Sequence, residues 1–154
     1  MKQSMLDSTT FVVLCTNGLS DIELLDIFDK GDWESRIRNA QNEIRERAFS
    51  YIKGKYDFSM NVERFRIQIT SDNKFNKIYG ILGIGKRFVI ATTNSRSGEI
   101  EKVKEFATKK EMDAFVDNLA KRDGVSSYSK ENNLLTCNFT NGREEIYLMV
   151  DSKL

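Results

Sequence analysis

Apolar residues recur along this chain at two spacings, and each spacing predicts a different secondary structure. In residues 62–70 (VERFRIQIT), Phe65, Ile67 and Ile69 alternate with polar residues, which is typical of a strand with one buried face. An unbroken apolar run (FVVLCT) indicates a buried first strand. Together these patterns predict strands over 11–16, 62–70, two segments of 77–93 that meet at Gly85–Lys86, 99–106, and the two sides of Asn141–Gly142.

Apolar residues spaced three and four apart predict helices. Asp32 can cap a long helix that ends near Lys53, and a capping box opens a second helix over residues 109–122. Another capping box, at residues 20–23, predicts a short helix that ends near Lys30. The apolar stripe of the long helix consists of Trp33, Ile37, Ala40, Ile44, Ala48 and Tyr51.

Asn141–Gly142 lies between two alternating apolar runs and is the strongest hairpin signal in the chain. A two-residue turn at this point would pair Cys137 with Ile146 and Leu135 with Leu148. All four side chains would then lie on one face of the hairpin.

Helices separated by runs of hairpin-connected strands are typical of the α+β class with a largely antiparallel sheet. We therefore expect a single α+β domain over residues 1–154. It would have one sheet of six or seven strands, with one long helix and one or two shorter helices packed on one face. No internal repeat and no linker is visible. The residues expected in the core are Val13, Ile37, Ile44, Phe65, Ile67, Ile90, Phe115, Leu119, Phe139 and Leu148.

Composition narrows the possible chemistry, because the 154 residues include no histidine and no proline. Histidine is the commonest metal ligand and the usual general base, so its absence removes most catalytic and metal-binding mechanisms. Cys15 and Cys137 lie in apolar strand segments without a histidine to activate them, and we interpret both as core residues. We expect no catalytic residues, no cofactor and no metal site.

The overall charge does not indicate a class of binding partner. Lys and Arg number 24 against 23 Asp and Glu, a net charge of +1, so no global field attracts nucleic acid or an anionic membrane. No apolar run approaches the roughly 20 residues of a membrane span, and the first residues lack the apolar stretch of a signal peptide. We expect a cytoplasmic protein with no membrane partner; the oligomeric state stays open.

Gly80–Lys86 has the glycine spacing and the lysine of a phosphate-binding P-loop, GxxxxGK. Arg87 replaces the Ser or Thr that would bind magnesium, and residues 88–93 predict a strand where the motif needs a helix N-terminus. We interpret these glycines as serving a sharp turn or close packing.

A second enzymatic interpretation comes from element order. Helix, three strands, helix and strand over residues 33–135 resemble the order of the PD-(D/E)xK nucleases, which use acidic residues and a lysine to hold magnesium. None of the available residues has the spacing of that motif, so a magnesium-dependent nuclease-like domain is the third functional hypothesis. The residues are Asp72, Glu99, Glu101, Lys102 and Lys104.

The first hypothesis is a small non-enzymatic protein that acts by binding another protein. Trp, Tyr and Arg dominate binding hot spots, so the predicted interface is Trp33, Arg36, Tyr56 and Phe58. A proline-free composition rich in Lys and Asn is typical of an accessory protein from an AT-rich bacterial or phage genome. The specific form of the hypothesis is a phage- or mobile-element-type regulator or inhibitor of a host protein.

The alternative is a nucleic-acid-binding protein that uses the basic face of the helix over residues 33–55 and the loops beside it. Arginines and lysines there would contact phosphates. Glutamates one turn away on the same helix would neutralise part of that charge. The candidate residues are Arg38, Arg45, Lys53, Lys55, Arg64, Arg66, Lys86, Arg87 and Arg96.

Overall fold

The computed structural model describes residues 9–17, 21–71, 75–94 and 97–153. The helices in this part of the chain are α1 (Trp33–Ile52) and α2 (Lys109–Ala120). The strands are β1 (Thr10–Thr16), β2 (Glu23–Phe28), β3 (Ser59–Val62), β4 (Arg66–Ser71), β5 (Phe75–Ile84), β6 (Phe88–Thr93), β7 (Ile100–Phe106), β8 (Val125–Glu131), β9 (Leu134–Phe139) and β10 (Glu144–Asp151).

These strands form two antiparallel sheets of five strands each. Sheet A has the order β2-β1-β5-β4-β3, and sheet B has the order β7-β6-β10-β9-β8. α1 packs on sheet A, α2 packs on sheet B, and a third apolar cluster joins the two sheets. The elements therefore stack in four layers, helix, sheet, sheet and helix. Neither helix of the described chain is long and apolar enough to cross a membrane.

The prediction of one six- or seven-stranded sheet with helices on one face is wrong. β1 shows the reason, because its side chains are buried on both faces. Val13 and Cys15 pack under α1, whereas Val12 and Leu14 lie in the core between the sheets. An unbroken apolar strand is typical of burial on both sides, but its pattern does not say what covers each face.

The two sheets are built from one unit, ββαβββ, that occurs twice along the chain. Residues 10–84 form the first unit and residues 88–151 the second, and the strand order of sheet B repeats that of sheet A. Ile67 pairs with Tyr79 in the first unit, and Leu135 pairs with Tyr147 at the same register in the second. The pairing of the first two strands also shifts by one residue at the same point in each unit, after Phe-Val-Val in β1 and after Phe-Val-Ile in β6. The extra residue lies on the second strand, Leu25 on β2 and Val103 on β7.

The expectation of no internal repeat is therefore wrong. Residues 11–28 and 88–106 both begin with Phe-Val, contain Thr-Asn and Ile-Glu, and end in Phe. One inserted residue before Ile-Glu in the second segment disrupts the alignment. Outside these segments the units share buried positions more than residue identities, so the repeat is clear only from the topology.

The prediction of a short helix that begins at residues 20–23 is wrong, since Glu23–Phe28 is strand β2. Ser20, the predicted cap, lies outside the described residues. The carboxylate of Asp21 accepts hydrogen bonds from the backbone N–H of Asn17 at 2.7 Å and from its side-chain amide at 2.9 Å. Asp21 thus closes the connection between β1 and β2 and does not start a helix.

The hairpin at Asn141–Gly142 is confirmed, but its predicted register is wrong by one residue. Gly142 has a φ of +86°, and the N–H of Phe139 donates to the carbonyl oxygen of Arg143. Three residues, 140–142, lie inside this pair, so Cys137 lies opposite Glu145. A shift of one residue reverses the face of every side chain on one strand. Cys137 consequently packs under α2, and Ile146 lies between the sheets.

The two longer helices are confirmed with their predicted caps. Asp32 accepts a hydrogen bond from the N–H of Ser35 at 2.8 Å. Thr108 accepts one from the N–H of Glu111 at 3.2 Å, as expected for a capping box, and the Glu111 carboxylate accepts from the Thr108 hydroxyl and not from its backbone N–H. Both caps are local, so the sequence is enough to predict them.

The strand predicted over 62–70 is divided into β3 and β4 by a turn at residues 63–65. Phe65 lies at this turn with 39% of its surface exposed, so its predicted place in the core is wrong. β8 has no counterpart among the predicted strands, because as an edge strand it is exposed along nearly its whole length. The expected core residues that are buried are Val13, Ile44, Ile67, Ile90 and Leu148.

The shared core predicts that the two units unfold together. Leu135→Ala in the second unit should lower the free energy of unfolding by about 2–5 kcal/mol, because the side chain is fully buried. Trp33, the single tryptophan, lies in the first unit. Its fluorescence midpoint in urea should fall together with the circular dichroism midpoint.

Ile67→Ala, at the equivalent position of the first unit, serves as the matched comparison and should have the same effect on both signals. If Leu135→Ala left the Trp33 midpoint at its wild-type value while the circular dichroism midpoint fell, the units would be unfolding independently.

Candidate functional surface

Features that the two units share are those that the fold needs, and features found in only one unit are those that it does not need. Counted from the N-cap, α1 and α2 bury equivalent positions one, two and three turns along. α1 then continues to 20 residues, whereas α2 ends at 12. The equivalent buried pairs are Arg36 and Met112, Ala40 and Val116, and Ile44 and Ala120.

The first unit also has a longer turn between its third and fourth strands. Three residues, 63–65, connect β3 to β4, whereas Asn132 and Asn133, both with positive φ, connect β8 to β9. The side-chain amide of Gln41 on α1 donates to the carbonyl oxygen of Arg64 at 3.2 Å. The helix therefore lies against this turn.

One surface combines the features that are particular to the first unit. Positions 41, 45 and 49 follow one another at i, i+4 on one side of α1, and Arg38 precedes them on the same side. Val62 pairs with Ile67, which packs under α1, so Val62 also lies on the helix side of sheet A. We name this surface the α1–β3 flank; it consists of Arg38, Gln41, Arg45, Phe49, Val62, Arg64 and Phe65.

Apolar side chains are unusually exposed on the α1–β3 flank. Phe49 is 60% exposed, Val62 50% and Phe65 39%. The other large apolar side chains of the described chain with comparable exposure are Tyr56, Val103 and Tyr128. Single exposed apolar residues are normal, and a group of three on one surface makes that surface the candidate site.

Three arginines lie among these apolar side chains. The guanidinium of Arg64 stacks over the ring of Phe65, with 5.2 Å between its carbon and the ring centroid. Arg38 and Arg45 are exposed, and neither forms an ion pair with another described residue. The flank therefore presents positive charge next to apolar area.

The residues predicted as a protein interface do not form one patch. Trp33 and Arg36 lie at the start of α1, and Tyr56 and Phe58 follow its end; a helix of this length spans about 30 Å. Arg36 is buried and Phe58 packs against the core under α1. Tyr56 is 82% exposed in the segment between α1 and β3, at one end of the flank.

The residues predicted to bind nucleic acid are also dispersed. Arg66 donates to Gln68 and forms two hydrogen bonds with the carboxylate of Glu99. The Lys55 ammonium lies 4.3 Å from the centroid of the Tyr51 ring. Arg96 lies outside the described residues.

Lys86 and Arg87 lie at the crossover between β5 and β6, away from the flank, and Arg87 makes two hydrogen bonds to Asp151 at 2.8 and 2.9 Å. Lys53 is exposed immediately after α1. Of the predicted set, Arg38, Arg45 and Arg64 share the α1–β3 flank.

The P-loop-like segment crosses from one sheet to the other and is followed by strand β6, not by a helix. The backbone N–H groups of Gly85 and Lys86 donate to one carboxylate oxygen of Glu105 at 2.6 and 2.8 Å. These donors, which a P-loop would direct at phosphate, are thus used by a carboxylate of the chain itself.

The residues considered for a nuclease lie in separate contacts. Glu99 is paired with Arg66, Glu101 accepts a hydrogen bond from Asn94, and Lys102 donates to Glu105. Asp72 lies outside the described residues. Within the described ranges, no group of three or more Asp, Glu or Cys side chains is close enough to hold a metal ion.

Both cysteines are buried, Cys15 under α1 and Cys137 under α2. Burial raises the pKa of the Cys15 thiol to about 12, and burial also raises the pKa of Cys137 despite a hydrogen bond with Arg122. Both thiols are therefore protonated at neutral pH, which does not suit a nucleophile.

The chain matches no protein-family model, no curated protein and no solved structure. The α1–β3 flank is therefore the candidate functional surface of this chain. Arg38, Arg45 and Arg64 are among the basic residues predicted from the sequence, whereas Phe49 and Val62 are not among the predicted site residues. Phe49 lies outside the apolar stripe of the helix, and an aromatic residue off that stripe is the signal that indicates its exposure.

The contact at the β5–β6 crossover predicts an effect of acid on stability. Burial raises the pKa of Glu105, but hydrogen bonds from Lys102 and from the N–H groups of Lys86 and Gly85 outweigh it, so the pKa lies below its usual 4.5. The folded state binds this proton less tightly than the unfolded state. The stabilisation is present above the usual pKa and is lost as the pH falls through the folded-state pKa.

Glu105→Gln should lower the free energy of unfolding at pH 7 by about 1–2 kcal/mol, because two N–H groups lose a charged acceptor. Its stability should also decline less than that of the wild type between about pH 5 and 3. Urea unfolding at each pH measures both effects. Glu131→Gln, on an exposed edge strand, is the control, and an equal loss in that variant would contradict the assignment.

Proposed function

We propose that this chain is a non-enzymatic protein that binds another protein through the α1–β3 flank. The observation that carries the proposal is the grouping of three exposed apolar side chains with three arginines on one surface. That surface is formed by the longer helix and the longer turn, two of the features by which the first unit differs from the second.

The composition of the flank favours a protein partner over nucleic acid. Interfaces between proteins are enriched in aromatic residues and Arg and depleted in Lys, and the flank has Phe49, Phe65 and three arginines but no lysine. Binding to a phosphate backbone depends mainly on the number of cations and leaves exposed apolar area unused. Three cations are few for that purpose.

The flank also contains one of the two edges of sheet A. β3 is an outermost strand, as β2 is at the opposite edge, so one side of its backbone is available to pair with a strand of a partner. An acidic segment with an apolar side chain at its centre would complement both the arginines and the apolar area. A protein that binds such a segment of its partner without catalysing a reaction would act as a regulator or inhibitor of that partner.

The flank predicts which substitutions weaken binding. Phe49→Ser and Arg45→Glu should each reduce affinity for the partner at least tenfold, since aromatic and arginine residues carry most of the energy in hot spots. Both side chains are exposed, so the melting temperature should stay near the wild-type value. Tyr128→Ser, an equally exposed aromatic residue on β8, is the matched control and should bind like the wild type.

The partner is first recovered on immobilised wild-type protein from a lysate of the source organism, in parallel with and without nuclease treatment, and is then purified for titration. A partner whose affinity falls equally with Tyr128→Ser, or is unchanged by the flank substitutions, would contradict the proposal. Recovery of nucleic acid instead, with a salt dependence of affinity that corresponds to about three phosphate contacts, would support the nucleic-acid alternative.

A further inference from the structure

A groove of about 510 Å³ lies beside β2, at the edge of sheet A opposite the α1–β3 flank. β2 forms one side of it, and β9, β10 and the turn from β8 to β9 form the other. Its apolar side chains belong to the cluster that joins the two sheets. We name it the β2 groove; it is lined by Ile22, Leu24, Glu131, Leu134, Thr136 and Leu148.

The outer edge of β2 is open next to this groove. Among the described strands β2 pairs with β1 alone, so the N–H and C=O groups of its other edge have no strand partner there. The N–H of Ile27 is bonded to the carboxylate of Asp26 at 2.8 Å. Residues 23–25, which adjoin the groove, are therefore the part of the edge that can pair with an added strand.

The repeated unit shows that the fold does not require this groove to be open. At the register of the two units, Arg66 of β4 is the counterpart of Leu134, and Gln68 is the counterpart of Thr136. Arg66 donates to the carboxylate of Glu99, which immediately precedes β7, so an ion pair bridges β4 and β7. Leu134 cannot form such a bridge to β2, and the groove stays open.

β2 also lacks the charges that protect the equivalent edge strand, β7. Residues 22–28 and 100–106 both run from Ile-Glu to Phe, which places Lys102 at the position of Leu24 and Lys104 at that of Asp26. Lysines on an edge strand oppose pairing with another strand, and β2 has no lysine. Leu24 is only partly buried against the inter-sheet cluster. β2 is thus the more apolar and less protected of the two equivalent edges.

The two faces of β2 differ in character, and this difference defines what could pair with it. Leu24 faces the groove, because it packs in the cluster between the sheets. Glu23 lies on the helix side, where it accepts a hydrogen bond from the thiol of Cys15 at 3.4 Å. Asp26 pairs with Val13, which packs under α1, and so lies on the helix side as well. Neither carboxylate forms an ion pair with another described residue.

We propose that the β2 groove binds an extended segment of a partner protein in which apolar residues alternate with lysine or arginine. The backbone of this segment pairs with residues 23–25 of β2, and an apolar side chain enters the groove beside Leu24 and Leu134. Side chains of a strand alternate between its faces, so the basic residues face Glu23 and Asp26. The site lies apart from the α1–β3 flank and does not depend on the function proposed for it.

A fluorescein-labelled peptide, Lys-Val-Lys-Val-Lys, tests the site by its anisotropy on titration with the full chain. The wild type should bind it with a dissociation constant below about 1 mM. A peptide with glutamate in place of lysine should bind about tenfold more weakly or worse, because like charges would then face Glu23 and Asp26. N-methylation of the valines removes donors from one edge of the peptide, and N-methylation of the lysines removes them from the other. One of these two peptides should lose binding, and the other should keep it.

Leu24→Lys, which introduces the residue of β7, should weaken binding of the unmodified peptide about tenfold or more. Asn42→Lys adds the same charge at an exposed position on α1 and should bind like the wild type. Phe49→Ser should also bind like the wild type, so a failure of the groove and a failure of the flank are distinguishable.

The proposal is overturned if the wild type does not bind the peptide, if both N-methylated peptides bind equally, or if Leu24→Lys weakens binding no more than Asn42→Lys. If Leu24→Lys does not fold, Glu23→Lys must weaken binding more than Glu46→Lys, which makes the same change at an exposed position on α1. Equal binding by these two variants again overturns the site. Self-association of the wild type that Leu24→Lys abolishes, measured by analytical ultracentrifugation, would assign the edge to a second copy of this chain and overturn the proposal as well.

Discussion

The apolar contact between the two sheets is the interaction on which the rest of this structure depends. Each ββαβββ unit can cover one face of its sheet with its own helix, but the other face would remain exposed to water. Val12 and Leu14 of the first unit and Val89 and Leu148 of the second are buried in this contact. Two helix-covered sheets therefore have a common interior, and each unit provides the cover that the other lacks.

The shared interior fixes the inside of both units and leaves their outer surfaces free to differ. Equivalent residues of the two helices are buried at the same positions, yet α1 is longer and carries exposed Phe49 on its extension. Arg36 replaces an apolar residue at a position where the second unit has Met112. Both differences lie in the first unit.

Local signals in the sequence predict local features well. The caps at Asp32 and Thr108 and the existence of the last hairpin need only neighbouring residues, and all are confirmed. The formation of β2 depends on the Asp21 carboxylate, and the register of the last hairpin depends on the backbone conformation of Gly142. Residue patterns specify neither of these. The two-sheet arrangement depends on contacts distant in sequence. The flank was partly predictable, because its arginines are visible as charges, whereas exposure of Phe65 requires knowledge of the turn.

The crossover from β5 to β6 is three residues long, and this shortness has a consequence for the energetics of the whole chain. Because the crossover is short, the two sheets associate intramolecularly at a high effective concentration, typically on the order of millimolar for short linkers. The inter-sheet contact can therefore be much weaker than an interface between separate subunits and still remain closed. Gly80 lies in the interior, and its lack of a side chain leaves room for Ile100 of the other sheet. At this position the chain buries less apolar area than a larger side chain would, which a weaker inter-sheet contact allows.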